Sequence, residues 1–400
     1  MNIPVYLGSP ALTSALGSGL HTHIDALLSP SSKPALTFSS DWVDGKNLAF
    51  GMVKETLRPF SDGTPAHCRS RTNRLLWHTL EQIEPQIHAA IRRYGANRIA
   101  VVIGTSTGGA DENIPMFEQA VQGKAWQDLT FNQCQHLMNA PADFIADAYG
   151  LNGLRYVVST ACTSGARALI SAARLLRAGM CDAVVCGGAD TLSPLTVNGF
   201  ASLEVLSPNI ANPFSANRDG INIGEGAAVF IMTRDADFSG DMQLLGYGAS
   251  SDAYHMSSPR PDAQGAILAF QTALQHAGLK PEDIGWINLH GTGTHHNDSM
   301  ESRAVAAVFG NNTPCTSTKP QTGHTLGAAG AIEAAFAWGI ADRRLNPENR
   351  LPPQLWDGQN DPDLPAINLT GGNSFWTTEK HIVASSSFAF GGSNCVLLIG

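Results

Sequence analysis

The feature that most restricts the fold is a plan that occurs twice. "RIAVVIGTSTGGADEN" (residues 98–113) reads as a buried strand opening into a Gly/Thr loop, and "IGWINLHGTGTHHND" (284–298) repeats it, GTSTGGAD aligning on GTGTHHND. Each strand follows a helix-like stretch, "RSRTNRLLWHTLEQIEPQIHAAIRRYG" before the first and "AQGAILAFQTALQHAGLKPED" before the second. A looser pair, "CDAVVCGGADTLSP" (181–194) and "HIVASSSFAFGGSN" (381–394), also runs from apolar residues into glycine-rich turns. This repetition predicts two related α/β halves, 1–240 and 241–400, meeting at a polar break near residues 238–243. Four hundred residues exceed one ordinary core and suit two domain-sized units.

Charge narrows the function classes. With 25 Lys+Arg against 34 Asp+Glu the formal charge is −9, so the overall balance favours neither nucleic acid nor an anionic membrane surface as a partner. No apolar run approaches the roughly 20 residues a membrane helix needs, and the first residues lack a basic and then apolar leader pattern, so the expected location is the cytoplasm. Seven scattered cysteines (68, 134, 162, 181, 186, 315, 395) without a CxxC read as reduced thiols.

One of those cysteines invites chemistry. "RYVVST" is β-branched, and "SGARALISAARLLRAG" is rich in Ala and Leu and stops at Gly179, which puts Cys162 at a strand-to-helix junction. Backbone N–H groups and the dipole at a helix start favour an anion, so the thiol is expected to shift toward the thiolate that attacks carbonyls. A small buried apolar residue is the other account of Cys162.

Two further stretches, "NLHGTGT" (288–294) and "TSTKPQTGHTLGAAGAIEAA" (316–335), place a histidine at a strand end or helix start among Gly, Ser and Thr. His290 and His324 are therefore candidate partners for Cys162. Lys319 lies five residues before His324 and Glu333 nine after it, and a helix beginning near Leu326 would return Glu333 toward Lys319 as a buried ion pair.

"TACTSGA", "HGTGT", "KPQTGHTLGAAGAIE", "PFSANRDGINIGEGAAVFIM" and "SSSFAFGGSN" together resemble the β-ketoacyl-acyl carrier protein synthases of fatty-acid and type II polyketide assembly. The resemblance implies an α/β, thiolase-like fold, a duplicated α/β/α/β/α five-layered sandwich, and a dimer, either of identical chains or with a chain-length-factor-like subunit. It implies that Cys162 takes an acyl group from carrier protein, that His290 and His324 serve decarboxylation of a malonyl thioester, and that Lys319 and Glu333 fix geometry and charge. The amides of Cys162 and Phe390 would form an oxyanion hole, and Thr292 and Thr294 would hold the phosphopantetheine arm. No bound cofactor is implied, because phosphopantetheine arrives on the carrier protein. Cys-His-His marks the elongating class within the resemblance, and chain-length-factor subunits lack the cysteine.

Three features depart from the family pattern. Ala389 stands where a glycine commonly precedes the gating Phe390, Thr107 falls where the acyl pocket is commonly bordered, and the opening lacks the usual basic, valine-rich stretch. They look more like ketosynthases of aryl polyene and related polyketide pathways. Arg69, Arg71 and Arg74 of "CRSRTNR" resemble a carrier-docking surface, with a solvated helix face as the alternative. His295, His296 and Asp298 do not make a metal site, since adjacent histidines cannot easily face one ion; Asp298 and Glu301 look like supports for the loop after His290. Cys181 and Cys186 are expected to flank a strand as small apolar residues. Two rival functions remain at this point, a cysteine hydrolase or acyltransferase and a non-catalytic partner subunit.

Overall fold

The computed structural model describes residues 3–400. Its strands, in chain order, are β1 (Tyr6–Leu7), β2 (Ala11–Ser14), β3 (Gly17–Ser18), β4 (Thr37–Val43), β5 (Lys46–Phe50), β6 (Ile99–Gly104), β7 (Arg155–Val158), β8 (Ala183–Asp190) and β9 (Gly226–Thr233). The rest are β10 (Leu244–Ser251), β11 (Trp286–Leu289), β12 (Pro314–Ser317), β13 (Asn368–Leu369), β14 (Val383–Phe388) and β15 (Ser393–Ile399). One sheet runs β3-β2-β9-β8-β6-β7 with β1 also on β9; the other runs β10-β15-β14-β11-β12-β13; β4 and β5 form a separate hairpin.

The central strands of the two sheets repeat one another. In the first, β6 is parallel to β7 and β8, and β8 is antiparallel to β9; in the second, β11 is parallel to β12 and β14, and β14 is antiparallel to β15. The register repeats too. Val101 pairs with Val185 and Asn288 with Ser385, and these are the same positions in the aligned segments of the sequence. The loosely matched segments 181–194 and 381–394 thus carry equivalent strands. Cys186 lies inside its strand rather than beside it, and both it and Cys181 are buried.

Five layers follow. The helices Ser164–Arg177 and Ala329–Ala341 lie between the sheets, against each other and against strands of both. The second reads AGAIEAAFAWGIA and is buried on every face, as an all-round apolar helix must be, with Glu333 its one charged residue. Gly165 allows the two to meet, since a Cβ there would fall 2.7 Å from the Ala331 nitrogen. Arg71–Leu80, Glu84–Tyr94 and Ala140–Tyr149 cover the outer face of the first sheet, and Gln264–Ala277 and His295–Phe309 that of the second. The long helical stretch before β6 is two helices, because Pro85 starts a new one after the turn at Glu81–Ile83. Among the described residues no helix is long and apolar enough to cross a membrane.

Candidate active site

Equivalent turns after β7 and β12 bring the reactive groups together. Cys162 precedes the helix Ser164–Arg177, and His324 precedes the turn Leu326–Ala328 that leads into Ala329–Ala341. Both are preceded by residues of positive φ, Ala161 at 51° and Gly323 at 72°, a conformation that turns the next side chain sharply out of the strand. The Nε2 atom of His324 lies 3.0 Å from the Cys162 sulfur. The His290 ring, carried at the end of β11, stands at 86° to the His324 ring with centroids 5.2 Å apart.

The surroundings fix the charge of each group. Lys319 Nζ is 2.6 Å from Glu333 Oε1 and 3.4 Å from His290 Nδ1, both partners of the ion pair being buried. Burial first, and the nearby ammonium second, hold His324 well below the usual histidine range; His290 is depressed by the same two causes and by His324. Both rings are therefore neutral at neutral pH. Burial also raises Glu333, an effect that Lys319 opposes. Behind His290, Glu301 accepts the amide N–H groups of His290 (2.8 Å) and Gly291 (2.7 Å) and the Ser386 hydroxyl (2.8 Å), while Asp298 accepts that of Phe214 (2.8 Å). These two carboxyls support the loop, and burial lifts Glu301 to about 7.

The thiol differs from the expectation of a lowered pKa. Burial pushes Cys162 up to about 12, outweighing the lowering by Lys319 and by the cysteine's own amide. The resting pair is a thiol beside a neutral imidazole, with His324 Nε2 within hydrogen-bond reach of the sulfur.

One cavity joins Cys162, His290 and His324 to Thr292, Thr294 and Phe390. The Phe390 ring meets Phe200 with centroids 5.7 Å apart, and the Phe390 amide has no acceptor among the described residues, whereas its neighbours Ala389, Gly391 and Gly392 donate to Ser393, Met256 and Ala389 carbonyls. Positive φ falls at Gly391 and Gly392, not at Ala389, so the Ala389 side chain imposes no strain on this turn.

Other candidates lie elsewhere. Thr107 is not among the residues lining this cavity, and its hydroxyl donates to Asp190 at 2.9 Å. Arg69, Arg71 and Arg74 surround a surface cleft separate from the cavity. Arg71 is engaged twice by the buried Glu225, at 2.6 and 3.2 Å, and Arg69 and Arg74 hold the backbone carbonyls of Thr64 and Leu57. His295 and His296 are exposed and belong to no group of three metal-capable side chains among the described residues. Sequence reasoning missed Asp190, whose one signal is its alignment with Phe390 in the repeated segments.

Two repeated α/β halves with a buried thiol and two imidazoles at their junction place the chain in the thiolase-like class. Comparison with known proteins narrows that class. The model of the beta-ketoacyl synthase N-terminal domain matches residues 73–237 and that of the C-terminal domain residues 242–349. A 3-oxoacyl-[acyl-carrier-protein] synthase 2 of Synechocystis is 34% identical over 330 residues, covering 77% of this chain and 76% of the relative. Among solved structures, the ketosynthase ApeO of Xenorhabdus doucetiae, in complex with its chain length factor ApeC, is 41% identical with a TM-score of 0.90, covering 99% and 98% of the two chains. A beta-ketoacyl synthase of Burkholderia phymatum is 28% identical, with a TM-score of 0.85 and coverage of 99% and 98%. The chain belongs to the β-ketoacyl synthases, the acyl-transferring condensing enzymes of fatty-acid and polyketide chain elongation.

Proposed function

We propose that Cys162 holds the growing acyl chain and that His290 and His324 drive its extension with malonyl carried on an acyl carrier protein. The observation that carries this reading is the 3.0 Å contact of His324 Nε2 with the Cys162 sulfur, with His290 in the same cavity. His324 takes the thiol proton as sulfur attacks the incoming thioester, and the amides of Cys162 and Phe390 face the developing oxyanion. The departing pantetheine sulfur leaves with that proton. The Lys319 ammonium beside His290 Nδ1 favours the tautomer with hydrogen on Nε2. With its ring hydrogen exchanged through water from Nδ1 to Nε2, His324 joins His290 as a second N–H donor to the malonyl thioester oxygen; carbon dioxide leaves, the enolate carbon attacks the Cys162 thioester, and the cysteine sulfur departs as a thiolate that regains a proton from water. Thr292 and Thr294 lie along the same cavity, where they suit the amides of the arm.

No resident cofactor enters this scheme, and the cation of Lys319 so near His290 opposes a metal ion among Cys162, His290 and His324. The carrier approaches the exposed arginines Arg69, Arg71 and Arg74, with Arg69 and Arg74 supplying charge that no carboxylate among the described residues takes up. The partner subunit, a second copy or a chain-length-factor-like chain, covers the open edge at β7 and the exposed Val121, Trp126 and Leu137. The likeness over nearly the whole chain to ApeO, a ketosynthase in complex with a chain length factor, supports a polyketide pathway over housekeeping fatty-acid synthesis, and the sequence features at Ala389 and Thr107 are what favour the aryl polyene kind within it. Seven unpaired cysteines suit the cytoplasm.

Intact-mass analysis of wild type and Cys162→Ala with acyl carrier proteins of different chains, followed by malonyl carrier protein, tests the reading. Only wild type gains the acyl mass, then loses it as a β-keto product two carbons longer appears. Wild type that never acylates, with or without a candidate partner subunit, would leave the chain a non-catalytic partner.

A further inference from the structure

The repeat gives several second-half parts of the active site a counterpart in the first half. Thr105 and Thr107 align with Thr292 and Thr294, and residue 190, the end of β8, aligns with Phe390 just beyond the end of β14. In the second half the two threonines bond each other at 3.0 Å and line the cavity that Phe390 borders. In the first half the same place is filled by a carboxylate. Asp190, fully buried, accepts Thr105 Oγ1 at 2.6 Å, Thr107 Oγ1 at 2.9 Å, the Ser106 amide at 2.8 Å and the Thr107 amide at 3.1 Å.

Its remaining contact crosses to the other half. The Gly327 amide donates to Asp190 Oδ2 at 2.7 Å. Gly327 sits in the turn Leu326–Ala328 three residues beyond His324, and Leu326 there has a φ of 50°, which a side-chain-bearing residue keeps only when its surroundings hold it. On its other side His324 is fixed through its own backbone, its N–H on the Asn222 carbonyl at 2.7 Å and its carbonyl accepting the Gly224 amide at 2.9 Å. The turn is thus held from two directions, and among the described residues the side chain that hydrogen-bonds the side leading to the central helix is Asp190.

We infer that Asp190 is a positioning residue: its carboxylate fills the first-half counterpart of the tunnel site and clamps the Leu326–Ala328 turn, holding His324 Nε2 against the Cys162 sulfur. This deepens, and rests on, the assignment of His324 as the base for Cys162. An asparagine of the same size cannot replace it, because one end of the amide would present N–H to the Ser106 or Gly327 N–H. Misplacement of a reacting group by about 1 Å costs on the order of a hundredfold in rate.

Alkylation of Cys162 by iodoacetamide at neutral pH, followed by intact mass, reads the contact without any carrier protein. Asp190→Asn is expected to slow alkylation about tenfold to a hundredfold. The double variant with His324→Ala is expected to be no slower than His324→Ala alone, because both act through one contact. Losses that multiply would mark a general loosening of the fold and overturn the inference, as would an Asp190→Asn rate equal to wild type. Where circular dichroism shows Asp190→Asn unfolded, Thr107→Val, which removes one hydroxyl from the clamp, decides by the same cycle with a smaller loss, and additivity there overturns the inference equally. Wild type and His324→Ala that alkylate alike would refute the base assignment itself, a distinct result.

Discussion

At the residue scale, chemistry here depends on keeping charges few and fixed. Lys319 and Glu333 are buried together, and the ammonium helps hold both active-site imidazoles neutral. Removing that positive charge in Lys319→Met lets the rings protonate at higher pH, so the acid limb of the condensation rate is expected to move upward relative to wild type; a pH–rate profile checks it. The identities of Cys162, His290, His324 and Lys319 were legible because each sits at an element boundary marked by Gly, Ser or Thr, and that of Glu333 because it is the one charge in an apolar helical stretch. The protonation of Cys162 was not, since a helix start argues for a lowered pKa while burial, which follows from packing between two distant halves, argues more strongly the other way. The aim of the Thr107 hydroxyl was equally hidden, being set by Asp190 at a separation of 83 residues.

At the element scale, the short helix Leu20–Leu28 shows how one side chain docks an element. His23 is buried, its Nδ1 2.7 Å from the Gly19 carbonyl and its Nε2 2.8 Å from the Ser14 hydroxyl, with the Phe336 ring of the central helix 5.9 Å away. Burial lowers its pKa to about 4. The folded form thus keeps His23 neutral, and its contribution is complete above the unfolded value near 6.5 and disappears as pH falls toward 4. Between those limits wild type is expected to lose about 3 kcal/mol more stability than His23→Gln, measured by urea unfolding. Sequence pattern located the long elements, β6, β11 and the helices packed on them, because periodicity over many residues averages out noise. It passed over the two-residue strands β1, β3 and β13, too short to carry a period.

At the scale of the whole molecule, the seven-stranded sheet ends at β7. Leu154 and Val158 carbonyls accept amides from Val101 and Thr105, so by the alternation of a parallel ladder Val157 turns its N–H and carbonyl to the open edge. Val157→Pro removes an outward N–H while sparing the ladder with β6. Wild type, alone or with its partner subunit, is expected to run as a dimer in light scattering after size exclusion, and Val157→Pro as a monomer; an unchanged dimer would place the interface elsewhere.

The contact between Cys162 and His324 spans 162 residues of chain. At translation rates of 5–20 residues per second, about 10–30 s separate completion of the helix Ser164–Arg177 from arrival of Ala329–Ala341, the helix that covers it. For that interval the inner face of the first sheet is covered by the helix Ser164–Arg177 alone, and the surface that Ala329–Ala341 will occupy stays open. The junction that assembles the site therefore leaves apolar surface open while the chain is being made, and brings His324 to Cys162 only after 162 further residues have been joined.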